Sequence, residues 1–370
     1  MTKKIITIGG ATQDIFISYA NPEMLHLETL QKKESFLILK EGHKVEVEKI
    51  NYTTGGGATN SAVSFKRLGC DVSIICKVGS DDQGEFIINN LQNESIDTNM
   101  IIKSSTTSTG SSFIVPSPSG DRSLLAYRGA NTTLEKIDIS LDAINKADQL
   151  YITSLSGKSS QLLLPIVKYA YEKNIPVATN PGSSQLAAGA ETLCKALPYI
   201  ETLILNSDEA KILMNSLIET NKHLQKENSI SKKDDSKNKT LPQLLQSPIF
   251  YENISFNIPN FFIEILKRGP KTIVITNGTE GVYVAHKNSI YFHPSIKTSI
   301  ANTLGAGDAF GSCFVASTTE GTALESAIFY GVINASSVIS HLDAKTGLLK
   351  KNDLIEKSKS FHNSIQKYPL

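Results

Sequence analysis

Apolar and polar positions along the chain follow two alternating rhythms. Short runs rich in aliphatic and β-branched residues occur at 4–9, 72–78, 149–153, 176–180, 202–205 and 272–276, the length and composition of buried strands. Between and after them, apolar residues spaced three and four apart predict helices over 58–68, 83–93, 161–173, 207–216, 261–267, 306–319 and 322–341. Strands alternating with helices predict an α/β chain with a largely parallel sheet covered by helices. Residues 282–285 and 290–293 read as a short antiparallel pair near the end of that sheet.

Three regions break the rhythm. Residues 36–40 and 44–48 flank the turn Glu41-Gly42-His43, and the second run alternates apolar with charged residues, as a half-buried strand does. Residues 112–115 and 123–127 flank a second turn, Pro116 to Asp121. Two such hairpins can pair as a small separate sheet over a substrate cleft, or simply decorate the surface. Residues 219–258 include a long polar stretch, among it Ser231-Lys232-Lys233-Asp234-Asp235-Ser236-Lys237. That composition buries little surface and predicts a mobile, solvated insertion.

Composition narrows the class. The chain has 370 residues, 40% hydrophobic and 20% charged, with a net charge of +1. That length suits one large α/β domain or two small ones, and no basic field points to nucleic acid. No apolar run reaches the roughly 18 residues of a membrane span. The N-terminal apolar run reads as a first buried strand and not as a signal peptide. Cys70, Cys76, Cys194 and Cys313 show no CxxC spacing, so they are expected to be reduced thiols in or near the core of a cytoplasmic protein, not metal ligands.

Five segments carry candidate chemistry. Asn302-Thr303-Leu304-Gly305-Ala306-Gly307-Asp308 leads into the helix 306–319. Small residues let an anion approach the backbone, and N–H groups at a helix start hold negative charge. Asp308 puts a carboxylate in the same turn, a pairing suited to phosphoryl transfer, although an ordinary tight turn uses the same residues. Gly55-Gly56-Gly57-Ala58-Thr59-Asn60 runs into the helix 58–68, with an amide able to donate to and accept from a hydroxyl. Asp14 follows the first strand, where ligands bind in open parallel sheets, or it caps a turn or helix there. Asn206-Ser207-Asp208-Glu209 either caps the next helix or places Glu209 near a Mg²⁺ shell through water. Thr276-Asn277-Gly278-Thr279-Glu280-Gly281 is a hairpin turn or a nucleotide-facing loop.

Together these motifs resemble the ribokinase-like (PfkB) family of carbohydrate kinases. Gly56 to Asn60 and on to Gly69 is similar to its N-terminal signature, and Leu304 to Asp308 to most of its C-terminal one. Asn206 to Glu209 resembles its N-x-x-E element, and Thr276 to Gly281 its nucleotide loop. The resemblance spans residues 4–347. It implies a Rossmann-like three-layer sandwich, mostly parallel at its centre, in one domain over 1–370, with a small β-sheet lid from segments near 16–50 and 110–128. It implies ATP and Mg²⁺ as cofactors, Asp308 as base, and Gly305, Ala306 and Gly307 as the anion hole. Asp14, Gly56, Gly57, Asn60 and Asn131 would hold the substrate. Asn206, Glu209, Thr276, Gly278, Gly281 and Asn334 would hold the nucleotide, and Arg128 would reach a phosphate or form a lid ion pair.

The chain departs from the pattern at Asn302, where the family often has an aspartate beside a monovalent-cation site, so dependence on K⁺ stays open. Asn180-Pro181-Gly182 stands where many sugar kinases carry an Asp and an Arg. The acceptor is expected to be the hydroxymethyl group of a sugar, with a nucleoside as the alternative. A catalytically silent ligand-binding protein on the same fold is the competing class. Relatives dimerise through the lid, which the moderately apolar lid strands leave open here.

Overall fold

The computed structural model describes residues 2–19, 23–28, 33–116, 122–220, 241–246, 248–251 and 254–370. Ile5, Ile6 and Ile8 are fully buried, as a strand covered on both faces requires. Their strand, Lys4–Ile8, pairs in parallel with Gln149–Thr153 on one side and Asp71–Gly79 on the other. Parallel pairing continues to Ile101–Ser104 on one flank, and to Val177–Asn180, Thr202–Asn206 and Thr272–Thr276 on the other. Gly281–His286, Ser289–Pro294 and Gln366–Pro369 add in antiparallel fashion to complete a ten-stranded sheet.

Side-chain alternation along the strands divides the core. Leu203 and Leu205 join Ile6, Ile8, Leu150 and Ile152 in one apolar cluster, while Ile204 joins Ile5, Tyr151 and Val274 in another. Helices Leu163–Glu172, Ser183–Ala196, Ser207–Thr220 and Ile258–Leu266 close the first cluster. Helices Gly57–Arg67, Asp82–Asn93, Ala306–Thr319 and Leu324–Val338 close the second. The expected three-layer α/β sandwich is therefore the architecture of the chain. Cys70, Cys76 and Cys313 are buried in it and unpaired, and Cys194 is half-buried. Among the described residues, no helix is long and apolar enough to cross a membrane.

A four-stranded sheet in the order Lys49–Gly55, Thr12–Ser18, Gly110–Pro116, Arg122–Tyr127 stands apart from the main sheet. The expected hairpin at 112–127 lies within it, and its turn, 117–121, lies outside the described residues. The expected pairing of 36–40 with 44–48 does not form. Lys33–Ile38 pairs instead with Glu23–Glu28, which sets Met24 opposite Leu37 and Leu25 opposite Phe36. These apolar cross-strand pairs outweigh the turn signal of Gly42. Of the segment 219–258, residues 221–240, 247, 252 and 253 lie outside the described residues. Its later part forms the helix Gln243–Gln246 and the pair Ile249–Tyr251 with Ile254–Phe256, with Ile249 and Phe256 buried in the first cluster.

Candidate active site

The helix Ala306–Thr319 begins at the predicted residue because Gly305 breaks the chain direction. Its φ of 79° and ψ of −2° lie in the left-handed region, and a Cβ there would come within 2.4 Å of the Ala344 Cβ. At Gly307, in contrast, nothing lies within 4 Å of the Cβ position, so the first turn opens outward. First-turn N–H groups have no intrahelical acceptor, and the helix dipole adds positive potential there. Asp308 is the third residue of this helix. It accepts a hydrogen bond from Asn60 Nδ2 at 2.8 Å, across 248 residues of sequence. Burial lifts its carboxyl above the usual range, against the Asn60 hydrogen bond and the Lys345 ammonium, which lower it.

The glycine triplet lets the chain fold onto Asp14 and the loop after the first strand. Gly56 has φ of 93°, and a Cβ on it would meet Gly10 O at 2.4 Å. A Cβ on Gly55 would overlap the Asp14 carboxylate at 1.9 Å, and one on Gly57 would press on Thr153 at 2.8 Å. Asp14 is neither a turn nor a helix cap. It lies in the strand Thr12–Ser18, only 5% exposed, and accepts from Thr12 Oγ1 at 2.9 Å. Burial raises its carboxyl too, opposed by Thr12 and then Lys345. Asn60 Oδ1 is buried and has no partner, which leaves an acceptor for a hydroxyl donor.

Two of the expected site residues make structural hydrogen bonds. Both groups of the Asn131 amide are committed to one residue: Ala11 N donates to Oδ1 at 2.9 Å, and Nδ2 donates to Ala11 O at 2.8 Å. Asn131 therefore fixes the loop after the first strand. Asn334 is fully buried, with Nδ2 donating to Ala309 O at 2.9 Å and Oδ1 accepting from Leu349 N at 3.0 Å. It clamps the two last long helices to the chain that follows and is closed to a nucleotide.

Asn206 and Glu209 make the reciprocal cap: Glu209 N donates to Asn206 Oδ1 at 2.8 Å, and Asn206 N donates to Glu209 Oε2 at 2.9 Å. Capping does not exhaust Glu209. It is 6% exposed, its carboxyl is pushed up to about 7 chiefly by burial, and Asp308 is close enough to raise it further. Among the described residues no group of three His, Cys, Asp or Glu side chains is placed to hold a metal. One such carboxyl suits a nucleotide-borne cation that keeps its waters, not a resident protein metal centre. Thr276 ends its strand and Gly278–Glu280 forms a single helical turn; Gly278, with φ of 51°, faces open space. Gly281, with φ of 129°, lies where a Cβ would meet His293 O at 2.1 Å, so its glycine serves the sheet.

Three contacts were not foreseen from the sequence. Arg122, not the exposed Arg128, reaches the turn 302–308: its Nη1 donates to Thr303 Oγ1 at 2.6 Å. Asn302 Nδ2 donates to Leu342 O at 2.9 Å while its Oδ1 accepts from Leu304 N at 3.0 Å, tying the catalytic turn to the loop 339–349. Lys345, from that loop, lies among Asp14, Asp308 and Asp343. A lysine in Asp343-Ala344-Lys345-Thr346-Gly347 carries the signal of a solvated turn, so only the fold reveals it.

A carboxylate at an open helix start, held by an amide from a glycine turn, is the arrangement of a phosphotransferase acting on a hydroxyl. The model of the pfkB family carbohydrate kinases matches residues 26–236 and 260–351. The chain belongs to this family, and with it to the ATP-dependent enzymes that phosphorylate a sugar hydroxyl. It is 26% identical to a ribokinase of Staphylococcus aureus over 323 residues, 85% of this chain and 86% of that protein. Its fold is similar to Arabidopsis thaliana ribokinase complexed with ribose and ATP (TM-score 0.73, 16% identity, 98% of this chain and 100% of that one). It is similar also to a Methanocaldococcus jannaschii nucleoside kinase (TM-score 0.72, 19% identity, 97% and 99% covered).

Proposed function

We propose that the protein transfers the γ-phosphoryl group of ATP to the hydroxymethyl oxygen of a free sugar, with Asp308 as the base. The observation that carries this is the 2.8 Å bond from Asn60 to Asp308, which joins the glycine turn to the open helix start. Asp308 takes the hydroxyl proton, the freed oxygen bonds to the γ-phosphorus, and the bond to the ADP oxygen breaks. The backbone of Gly305, Ala306 and Gly307 faces the charge that develops on the phosphoryl oxygens. Asp14, the Asn60 amide oxygen and the backbone of Gly56 and Gly57 hold the other sugar hydroxyls. The cap Asn206–Glu209 and the loop from Thr276 to Gly281 face the nucleotide. Glu209 would hold, through water, the Mg²⁺ that ATP carries, and that ion would supply neutralisation of the phosphate charge. Ribokinase, and a Salmonella typhi deoxyribokinase 24% identical over 277 residues, support a free sugar over a nucleoside.

The same reading makes the four-stranded sheet a lid that excludes water, with Arg122 reaching the catalytic turn from it. It favours a reaction independent of K⁺, because a neutral amide stands at Asn302 and is held by Leu342 O and Leu304 N. It also makes the protein a homodimer through the small sheets, where Leu25, Leu27, Phe36, Leu124, Leu125 and Tyr127 are each exposed. The test is ATP consumption with Mg²⁺ and K⁺ over pentoses, hexoses, sugar phosphates and nucleosides. Turnover is expected with a free sugar. A nucleoside as best acceptor, or no turnover with any of them, overturns the proposal.

A further inference from the structure

The two halves of the site come from opposite ends of the chain, and one loop, 339–349, touches both. Toward the catalytic turn, Ile339 O accepts from Ala301 N at 2.8 Å and from Asn302 N at 3.2 Å, and Ala344 packs beneath Gly305. Toward the glycine turn, Lys345 Nζ donates to Thr54 O at 2.6 Å, Thr54 Oγ1 at 2.7 Å and Thr59 Oγ1 at 2.9 Å, which uses all three of its donors. Thr59 Oγ1 in turn donates to Gly55 O at 2.6 Å and Gly56 O at 3.1 Å. Arg67, at the far end of the same helix, donates to the carbonyls of Lys345 at 2.7 Å and Leu348 at 3.0 Å, so the loop is strapped to that helix twice.

This is a costly place for an ammonium. It has left water, and it faces the positive start of the helix Gly57–Arg67. Asp14 and Asp308 from the site, Asp343 from its own loop, and Glu94 beyond the helix Asp82–Asn93 offset that cost. Arg67 adds a positive charge nearby but is paired with Glu94 at 2.5 Å. Asp343 is itself held by the N–H groups of Lys345 and Thr346 at 2.8 and 2.9 Å, so it does not compete for the site.

We propose that Lys345 is the positioning residue that registers the glycine turn against the catalytic helix. The inference rests on the kinase reading above, with Asp308 as base. Lys345 acts only while charged. Burial holds its ammonium down to about 8, even with Asp14, Asp343, Asp308 and Glu94 raising it, so activity should fall on the alkaline side through that pH.

The experiment is the pH profile of kcat/KM for wild type, Lys345→Met, Lys345→Arg and Asp308→Asn. Lys345→Met is expected to lose about 100-fold at neutral pH, the scale of an ångström misplacement, and its acid limb should move up. Lys345→Arg should recover most of that loss, because a cavity of about 230 Å³ lined by Tyr52, Arg67, Glu94 and Asp343 flanks the side chain. Its alkaline limb should vanish, since a guanidinium stays charged. Unchanged limbs in both variants overturn the inference. If Lys345→Met does not fold, wild type and Lys345→Arg decide alone: a flat alkaline profile in wild type, or the same limb in both, overturns it. Full turnover by Asp308→Asn would instead remove the base assignment, whatever the lysine variants do.

Discussion

Replacing Asp308 by Asn keeps the size of the side chain and removes its ability to accept a proton. The open N–H groups of the first turn stay in place, and so does Gly305. A positioned general base contributes about 10²- to 10⁴-fold, which at about 1.36 kcal/mol per tenfold is roughly 3–5 kcal/mol of barrier. The expected loss in kcat is therefore in that range, with ATP affinity by calorimetry nearly unchanged. Stability should move the other way. Because the folded carboxyl is raised above its unfolded value, its contribution is full at low pH and is lost as pH rises through the folded value. At neutral pH wild type thus carries a buried charge that the amide lacks. The favourable carboxylate–helix interaction, about 0.3–1 kcal/mol, is also lost, but burial is the larger influence on Asp308. The Asp308→Asn variant should therefore melt at or above the wild-type temperature at neutral pH, with the gap closing in acid. The assay couples ADP release to a dehydrogenase, alongside thermal unfolding at two pH values. Turnover within tenfold of wild type, with the acid limb intact, would refute the base assignment.

Asp14→Ala should weaken sugar binding by about 10- to 150-fold, from charged hydrogen bonds of about 1.5–3 kcal/mol, and leave ATP binding alone. Equal losses for both ligands in calorimetry would count against its role. Exchanging K⁺ for choline should alter turnover less than the roughly 5–150-fold typical of a coupled effector. A change of that size would mean that Asn302 does not replace a cation. Leu125→Glu, on the exposed edge strand, should convert a dimer to a monomer by light scattering. A wild-type protein already of monomer mass would end the dimer reading.

The main sheet was legible because its strands are covered on both faces. Continuous runs such as Thr-Ile-Val-Ile-Thr have one reading only: the bounds 149–153 and 272–276 came out to the residue, and the other four strands within a residue at either end. The four-stranded sheet was less legible because one face stays polar or open. Thr12–Ser18 begins just after Gly9-Gly10, so its first residues read as a turn, and the strand itself went unseen. The helix Ser183–Ala196 was missed because Ala, Ser and Gly give little amphipathic contrast, and Lys351–Lys359 because a single residue, Leu354, is buried. The catalytic turn was visible, since glycine there answers a local demand for left-handed backbone. The bonds of Asn131 and Asn334 to distant backbone were hidden for the opposite reason. An asparagine near a motif looks the same whether its amide meets a ligand or a distant carbonyl.

Electrostatics separates carboxylates that the sequence presents alike. Asp81, Asp308, Asp343 and Glu209 stand at caps, turns or first helical turns, and Asp14 lies in a strand just after a glycine pair. Burial works to raise each of them, yet two end below the ordinary range. Asp81 accepts from Thr109 and Gly84. Asp343 accepts from Thr346 and Lys345. Local donors saturate these two, and their work is to hold loops. Asp14, Asp308 and Glu209 end above the range, because each has fewer donors than its burial requires. A fold gains nothing in stability from three under-satisfied carboxyls whose charges interact through Asp308. It retains them if a substrate hydroxyl and a nucleotide-borne cation supply the missing partners. By that criterion Lys345 belongs with them: it is the cation already present, and it lowers Asp14 and Asp308 before any ligand arrives.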